Sequence, residues 1–199
     1  MNRVNELKRK YGLTDDTFVL LSLGRIAKEK SVDFSMRCFK NFMIAHPEVE
    51  TKMVIVWGGP AEEELKILAD DLEIKDKVIF TGPCDPNEVQ YYYALGDAFV
   101  SASLSETQGL TYMEAMAAHL YVLARYDHNL LAVIQEGTTG CFFENREEFA
   151  DKLFKVYNLY KAKDEAMLNE ALNSIDHYSI ETFHRRVKNA YNHVIKQFW

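Results

Sequence analysis

Short, continuous apolar runs alternate with stretches of helical periodicity along this chain, and this alternation restricts its fold more than any other feature. The runs are FVLLSL (18–23), MVIVW (53–57), VIF (78–80), AFVS (98–101), YVLA (121–124) and CFF (141–143). Continuous apolar strands are typical of sheets that are covered on both faces. About six such strands with helices between them predict an α/β fold, a Rossmann-like, doubly wound parallel sheet.

The strand pattern ends near residue 145, and the remainder of the chain to Trp199 has helical periodicity. A length of 199 residues suits one ordinary domain. We therefore expect a single domain over 1–199, with an α/β core over about 15–145 and a helical tail over about 146–199.

Composition narrows the classes of function. A formal net charge of −7 disfavours nucleic acid as a partner. Three widely spaced cysteines, Cys38, Cys84 and Cys141, indicate reduced thiols in a cytoplasmic protein, and neither they nor the histidines have the spacing of a metal site. No apolar stretch approaches the ~20 residues that a membrane-spanning helix needs.

In a doubly wound sheet, ligands bind outside the carboxyl ends of the strands, so the loop GRIAKEK after the first strand is a candidate site. Gly24 ends the strand, and Arg25 and Lys30 place two cations in one loop, where they could hold a diphosphate. The alternative is a solvated loop whose charges pair with Glu29 or Asp33. The loop lacks the GxGxxG dinucleotide fingerprint, and the chain lacks a P-loop.

The segment SLSETQGLTYMEAMAAHL, after the fourth strand, contains two glutamates. We expect a helix that starts near Gly109 and is capped by Ser105 or Thr107, with its first amides available to a phosphate. Glu106 would then lie in the loop and Glu114 in the helix, both bordering one cleft. Glu114 could accept hydrogen bonds from sugar hydroxyls, or it could be a structural carboxylate that buried backbone or a lysine satisfies.

These residues carry a resemblance to a known family. ETQGLTYMEAMAA resembles the E-x7-E signature of family-4 retaining glycosyltransferases, which have the two-domain GT-B fold, and SLGRIAKEKSVDF is similar to their GR-x4-K phosphate loop. VIFTGPCDPNEVQYYYALGDAFVSAS is similar to the segment between them, so the resemblance runs in order from about residue 18 to 145. The sequence SETQGLT looks most like that of the bacterial branch of this family that glucosylates diacylglycerol.

The resemblance implies a site for a nucleotide-sugar donor, with UDP-glucose as the expected donor, no metal and no cofactor. Arg25 and Lys30 would hold the diphosphate, Glu114 the ribose hydroxyls, and Glu106 would face the donor sugar. The catalytic set is then Glu106, Arg25 and Lys30, and the further donor-binding positions are Gly24, Gly82, Cys84, Gln108, Gly109, Leu110 and Glu114. GDP-mannose or a UDP-N-acetylhexosamine as donor, and a non-catalytic module that binds nucleotide sugars, remain alternatives.

The resemblance covers only the donor-binding half of such enzymes, and the half that binds a lipid or saccharide acceptor would precede residue 1. We expect this domain alone to be inactive in transfer, and the full-length protein to be cytoplasmic or peripheral on the inner face of the membrane. The apolar stripe Phe183, Val187, Tyr191 and Ile195 near the C-terminus indicates either a membrane-surface helix or, the reading we favour, a packing helix.

The chain departs from the family pattern at three positions. His119 and Tyr121 stand where the family usually has a glycine and a proline, and Trp57 replaces the first glycine of a G-x-G-P turn. We expect the tryptophan ring either to narrow the nucleotide cleft or to stack on the base.

Overall fold

The fold is organised around one parallel sheet. A computed structural model describes residues 2–198, without the side chains of residues 183, 190 and 192–198. The sheet contains six strands in the order β3-β2-β1-β4-β5-β6, and every neighbouring pair is parallel. The strands are β1 (Phe18–Leu23), β2 (Thr51–Val56), β3 (Val78–Phe80), β4 (Ala98–Ser101), β5 (Tyr121–Arg125) and β6 (Cys141–Phe143).

Helices cover both faces of the sheet, which confirms the doubly wound α/β prediction. The helices are α1 (Arg3–Lys10), α2 (Val32–Ala45), α3 (Glu62–Asp71), α4 (Val89–Tyr93), α5 (Leu110–Ala117), α6 (Arg146–Ala162), α7 (Ala166–Ile175) and α8 (Ile180–Phe198). α2, α3 and α6 contribute to one buried apolar cluster, and α1, α4 and α5 contribute to the cluster on the opposite face. Each strand therefore buries side chains in two directions, as its continuous apolar sequence indicates.

The strand order reverses between β1 and β4. These two strands pair only through Leu20–Ala98 and Leu21–Phe99, so their carboxyl ends are not joined to each other. The loops that follow them contain Arg25, Lys30 and Glu106. This is the topological switch point at which doubly wound sheets leave a crevice for a ligand.

Local boundaries differ slightly from the sequence predictions. β2 begins at Thr51 and ends at Val56, because Trp57 leaves the strand with a φ of 91°. α4 is short and follows a 3-10 turn (Pro86–Glu88), and the Asp85 carboxylate caps this turn by accepting from the amide of Asn87.

The C-terminal tail is helical, as predicted. α6 buries Phe149, Leu153 and Val156 against the sheet. On α8, Val187 and Tyr191 of the predicted apolar stripe are exposed, while the side chains of Phe183 and Ile195 lie outside the described residues. Over residues 2–198, no helix is both long enough and apolar enough to cross a membrane.

Two of the three departures from the family pattern have clear structural consequences. His119 follows α5 with a φ of 61°, a left-handed conformation that glycine adopts without strain. Tyr121 begins β5, where its amide donates to the carbonyl of Asp97 and its hydroxyl donates to the carbonyl of Asp164 at 2.6 Å. A proline at that position would lack both groups.

Candidate active site

A small cavity lies at the switch point between β1 and β4. Its volume is about 40 Å³, and its lining includes Gly24, Arg25, Lys30, Glu106 and Thr111. Three different segments contribute these residues: the loop after β1, the loop after β4 and the first turn of α5. The structure therefore brings together the three residues that we predict to be catalytic.

Both cations of the loop after β1 are paired with carboxylates. Lys30 Nζ lies 2.9 Å from Glu106 Oε1, and the Glu106 side chain is only 10% exposed. The Arg25 guanidinium donates to Glu29 Oε1 at 2.6 Å. Hydrogen bonds from its own backbone amide and from Arg25 hold the pKa of Glu29 below its usual range, despite some desolvation. The pairing of Arg25 with Glu29 agrees with the solvated-loop alternative, whereas Lys30 makes an ion pair across the cavity.

The turn after β2 supports the loop that contains these cations. The amide of Ile26 donates to the carbonyl of Gly58 at 3.2 Å, and the Ile26 carbonyl accepts from Ala61. A Cβ on Gly59 would lie 2.1 Å from the Ile26 carbonyl oxygen, so only glycine permits this approach of two backbones. The WGGP turn thus fixes the position of the loop after β1, a role that sequence reasoning missed.

Trp57, which stands where the family usually has a glycine, lies beside the loop after β3 that is predicted to contact the base. It forms an isolated antiparallel bridge with Gly82, and its amide donates to the Thr81 hydroxyl at 3.4 Å. Trp57 is not among the residues that line the small cavity, so its ring does not narrow that cavity. Cys84 is half-buried and packs against the apolar cluster that contains α4 and α5.

An aspartate from the loop after β5 holds the segment around Glu106. The Glu106 amide donates to Asp127 Oδ2 at 3.2 Å, and Asp127 also accepts from the amide of Asn129 as the cap of a 3-10 turn, His128–Ala132. Sequence reasoning missed Asp127, although its loop follows a strand at the same edge of the sheet. The position of Asp127 before a turn was the available signal.

Helix α5 starts where the sequence predicts it, but the predicted cap is wrong. Its N-cap is Gly109, which has a φ of 66° and no side-chain cap, so neither Ser105 nor Thr107 caps the helix. A Cβ on Gly109 would lie 3.0 Å from a methyl group of Leu130, which explains the need for a small residue. The first amides of α5 have no intrahelical acceptor by virtue of helix geometry.

Glu114 is separated from the small cavity by about one helical turn. Its side chain is exposed, and the hydroxyl of Tyr93 donates to its Oε2 at 2.8 Å. The partner of this carboxylate is therefore a tyrosine hydroxyl, and not the buried backbone or lysine that the structural alternative named. Glu114 lines two larger cavities, one of about 550 Å³ shared with Pro86 and Tyr93 and one of about 520 Å³ shared with Leu110.

The remaining predicted positions are dispersed around this centre. Gln108 is exposed, and Leu110 is 59% exposed on the side of the 520 Å³ cavity, so neither lines the small cavity. Gly82 and Cys84 lie in the loop after β3. The roles expected of these four residues in donor binding stay predictions. The described part of the chain holds no group of three His, Cys, Asp or Glu side chains placed to bind a metal ion.

Comparison with known proteins identifies the family. The profile described as "Glycosyl transferases group 1" matches residues 3–190. Alpha-monoglucosyldiacylglycerol synthase of Streptococcus pneumoniae is 36% identical over 188 residues, which are 94% of this chain and 42% of that protein. The chain thus spans less than half the length of this relative.

Solved structures agree with the fold. HepE of Anabaena, solved with UDP and glucose, has a TM-score of 0.77 at 16% identity and is covered to 51% by a match to 95% of this chain. The C-terminal domain of a group 1 family glycosyl transferase (LpcC) of Francisella tularensis has a TM-score of 0.75 at 22% identity, with 90% of this chain matched to 94% of that domain. The predicted resemblance is confirmed, and this chain belongs to the group 1 glycosyl transferase family.

Proposed function

We propose that this chain is the donor-binding domain of a retaining glycosyltransferase that transfers a hexose, most simply glucose, from UDP-glucose to a lipid. The observation that carries the proposal is the meeting of Arg25, Lys30 and Glu106 around one cavity at the switch point of the sheet. The Streptococcus pneumoniae relative is named for making a glucosylated diacylglycerol, which supports glucose and a lipid as donor sugar and acceptor.

In this proposal the two cations act on the leaving group. The bond between the anomeric carbon and the β-phosphate oxygen breaks, and the nucleoside diphosphate leaves with the bonding electrons. An acceptor hydroxyl oxygen bonds to the anomeric carbon, and its proton passes to the departing diphosphate oxygen. Arg25 and Lys30, together with the first amides of α5, stabilise the negative charge that develops on the diphosphate. Glu106, which now pairs with Lys30, would then face the donor sugar.

The chain spans 42% of the length of the Streptococcus pneumoniae relative, and we infer that the acceptor is bound outside these 199 residues. Transfer requires donor and acceptor to be held in register, so we expect the 199-residue chain to bind donor without efficient transfer. A cytoplasmic location, peripheral at the inner face of the membrane, follows from a lipid acceptor and a nucleotide-sugar donor. Independence from a metal ion stays a prediction.

The donor alternatives can be separated on the chain itself. Thermal unfolding would be followed with UDP-glucose, UDP-N-acetylglucosamine and GDP-mannose, because a ligand that binds the folded state raises Tm by mass action. We expect UDP-glucose to give the largest rise and Arg25→Ala to reduce it strongly. A larger rise with GDP-mannose would refute the choice of donor, and no rise with any nucleotide sugar would refute the donor-binding function.

A non-catalytic module remains the second candidate. The observation that favours it is the ion pair of Arg25 with Glu29, because this carboxylate already occupies the guanidinium that would bind the diphosphate. Assay of a chain extended through the acceptor-binding half would decide, since hexose transfer to diacylglycerol would exclude a purely binding role.

A further inference from the structure

Glu114 has a specific partner that places its carboxylate. The Tyr93 hydroxyl, on α4, donates to Glu114 Oε2 at 2.8 Å and also lies 3.4 Å from the carbonyl oxygen of Thr111. We propose that Tyr93 is a positioning residue for the nucleoside, which holds Glu114 so that its second oxygen accepts a hydrogen bond from a ribose hydroxyl. This inference rests on the proposed donor-binding function.

The two side chains differ in freedom, and the difference explains why a partner is needed. Tyr93 is 4% exposed, and its ring lies 6.3 Å from that of Phe99, centroid to centroid. Glu114 is exposed on α5, and a free glutamate side chain samples many rotamers. A bond from a buried, fixed phenol restricts the carboxylate to the orientations that keep Oε2 near Tyr93.

That restriction also selects between two cavities. Glu114 lines both the 550 Å³ cavity and the 520 Å³ cavity, but Tyr93 lines only the former, together with Pro86 and Val89. Tyr93 therefore directs the Glu114 carboxylate toward the 550 Å³ cavity. Thr111, which lines the small cavity between β1 and β4, is three residues before Glu114, a rise of ~4.5 Å along the helix. A ligand with its diphosphate at Thr111 would thus have its ribose near Glu114.

The chemistry of the pair suits this role. Burial, and then the hydrogen bond to Glu114, raise the pKa of Tyr93 above its usual range, so its hydroxyl keeps its proton and remains a donor. A carboxylate has two oxygens, and within the described part of the chain Glu114 Oε1 accepts no hydrogen bond. A ribose diol supplies neutral donors for that oxygen, whereas a phosphate would be repelled.

The test is a calorimetric titration of the chain with UDP and with 2′,3′-dideoxy-UDP, which lacks the ribose hydroxyls. We expect Tyr93→Phe to weaken UDP binding about tenfold and to change the affinity for dideoxy-UDP less than about twofold. Tyr92→Phe is the matched control, because Tyr92 is also buried on α4 but the hydrogen bond to Glu114 comes from Tyr93. It should leave both affinities within about twofold of the wild type.

A double-mutant cycle shows whether Tyr93 acts through Glu114. In a Glu114→Ala background, Tyr93→Phe should have no further effect on UDP binding. The ratio of the two affinities is independent of the folded fraction, since both ligands bind the same folded state, so the test holds even if Tyr93→Phe is destabilised.

Two results would overturn the inference while leaving the proposed function intact. One is UDP binding that is unchanged in Tyr93→Phe, and the other is an equal loss of affinity for both ligands. If the wild-type chain binds neither UDP nor dideoxy-UDP, the proposed function fails and this inference fails with it.

Discussion

Replacement of Asp97 by asparagine should stabilise the fold, and the gain should depend on pH. Asp97 lies immediately before β4 and connects it to β1: its Oδ2 accepts from the amide of Val19 at 2.8 Å, and its own amide donates to the Val19 carbonyl at 2.9 Å. Burial raises the pKa of Asp97 from its ordinary 3.8 to about 6, although the Val19 amide, Lys8 and Tyr160 all favour the charged form.

The magnitude follows from this difference in pKa. At ~1.4 kcal/mol for each tenfold change, ionisation of Asp97 lowers the free energy of unfolding by ~2–3 kcal/mol. Below the unfolded pKa both states are protonated and nothing is lost. As pH rises from the unfolded pKa of 3.8 toward the folded pKa of about 6, the carboxyl ionises in the unfolded state but stays protonated in the folded state. The free energy of unfolding falls over this range, and the loss is complete above about pH 6.

The assay compares free energies of unfolding from urea titrations of Asp97→Asn and wild type at several pH values. An asparagine carbonyl can still accept from Val19, so we expect the variant's advantage over wild type to increase by ~2–3 kcal/mol between about pH 4 and pH 7. The exposed Asp16→Asn is the control and should give no such trend. A flat difference for Asp97→Asn across this range would refute the assignment of a buried, costly carboxylate.

Three further predictions concern the site and its supports. Gly59→Ala would place a Cβ 2.1 Å from the Ile26 carbonyl oxygen. We therefore expect the free energy of unfolding in urea titrations to fall by ~1–3 kcal/mol and UDP binding to weaken. An unchanged free energy of unfolding and an unchanged affinity would contradict the close approach of the two backbones. Glu29→Gln frees Arg25 from a competing carboxylate and should tighten UDP binding, with a gain that shrinks as salt is added in calorimetry; weaker binding would argue that Glu29 instead orients the guanidinium. His119→Gly should raise the free energy of unfolding by ~1 kcal/mol, because a φ of 61° strains a residue with a Cβ, and a lower Tm would show that the imidazole makes a compensating contact.

The sequence correctly predicts the parallel sheet and the convergence of Arg25, Lys30 and Glu106 at its edge, and the reason is physical. Continuous apolar runs have few alternatives to buried parallel strands, and the carboxyl ends of such strands meet at one edge. Arg25 and Lys30 follow the first strand and Glu106 follows the fourth, so their convergence needs only the strand order.

The side-chain partners could not be predicted in the same way. Tyr93–Glu114 and Asp127–Glu106 each join residues 21 positions apart, and both bonds depend on how α4 and the loop after β5 are placed. The backbone at Trp57 also could not be predicted, since a φ of 91° is unfavourable for tryptophan and is imposed by its tertiary setting. Local propensity carries no signal for such positions.

The most direct test of the account compares UDP with uridine in calorimetric titrations of the chain and of Lys30→Ala. The two ligands share base and ribose, so the ratio of their affinities isolates the diphosphate. The account predicts that UDP binds the chain at least about a hundredfold more tightly than uridine and that Lys30→Ala removes at least about tenfold of this ratio, since hydrogen bonds to charged groups contribute ~1.5–3 kcal/mol each. Equal affinities for UDP and uridine, or a ratio that Lys30→Ala leaves unchanged, would contradict a diphosphate site at the switch point.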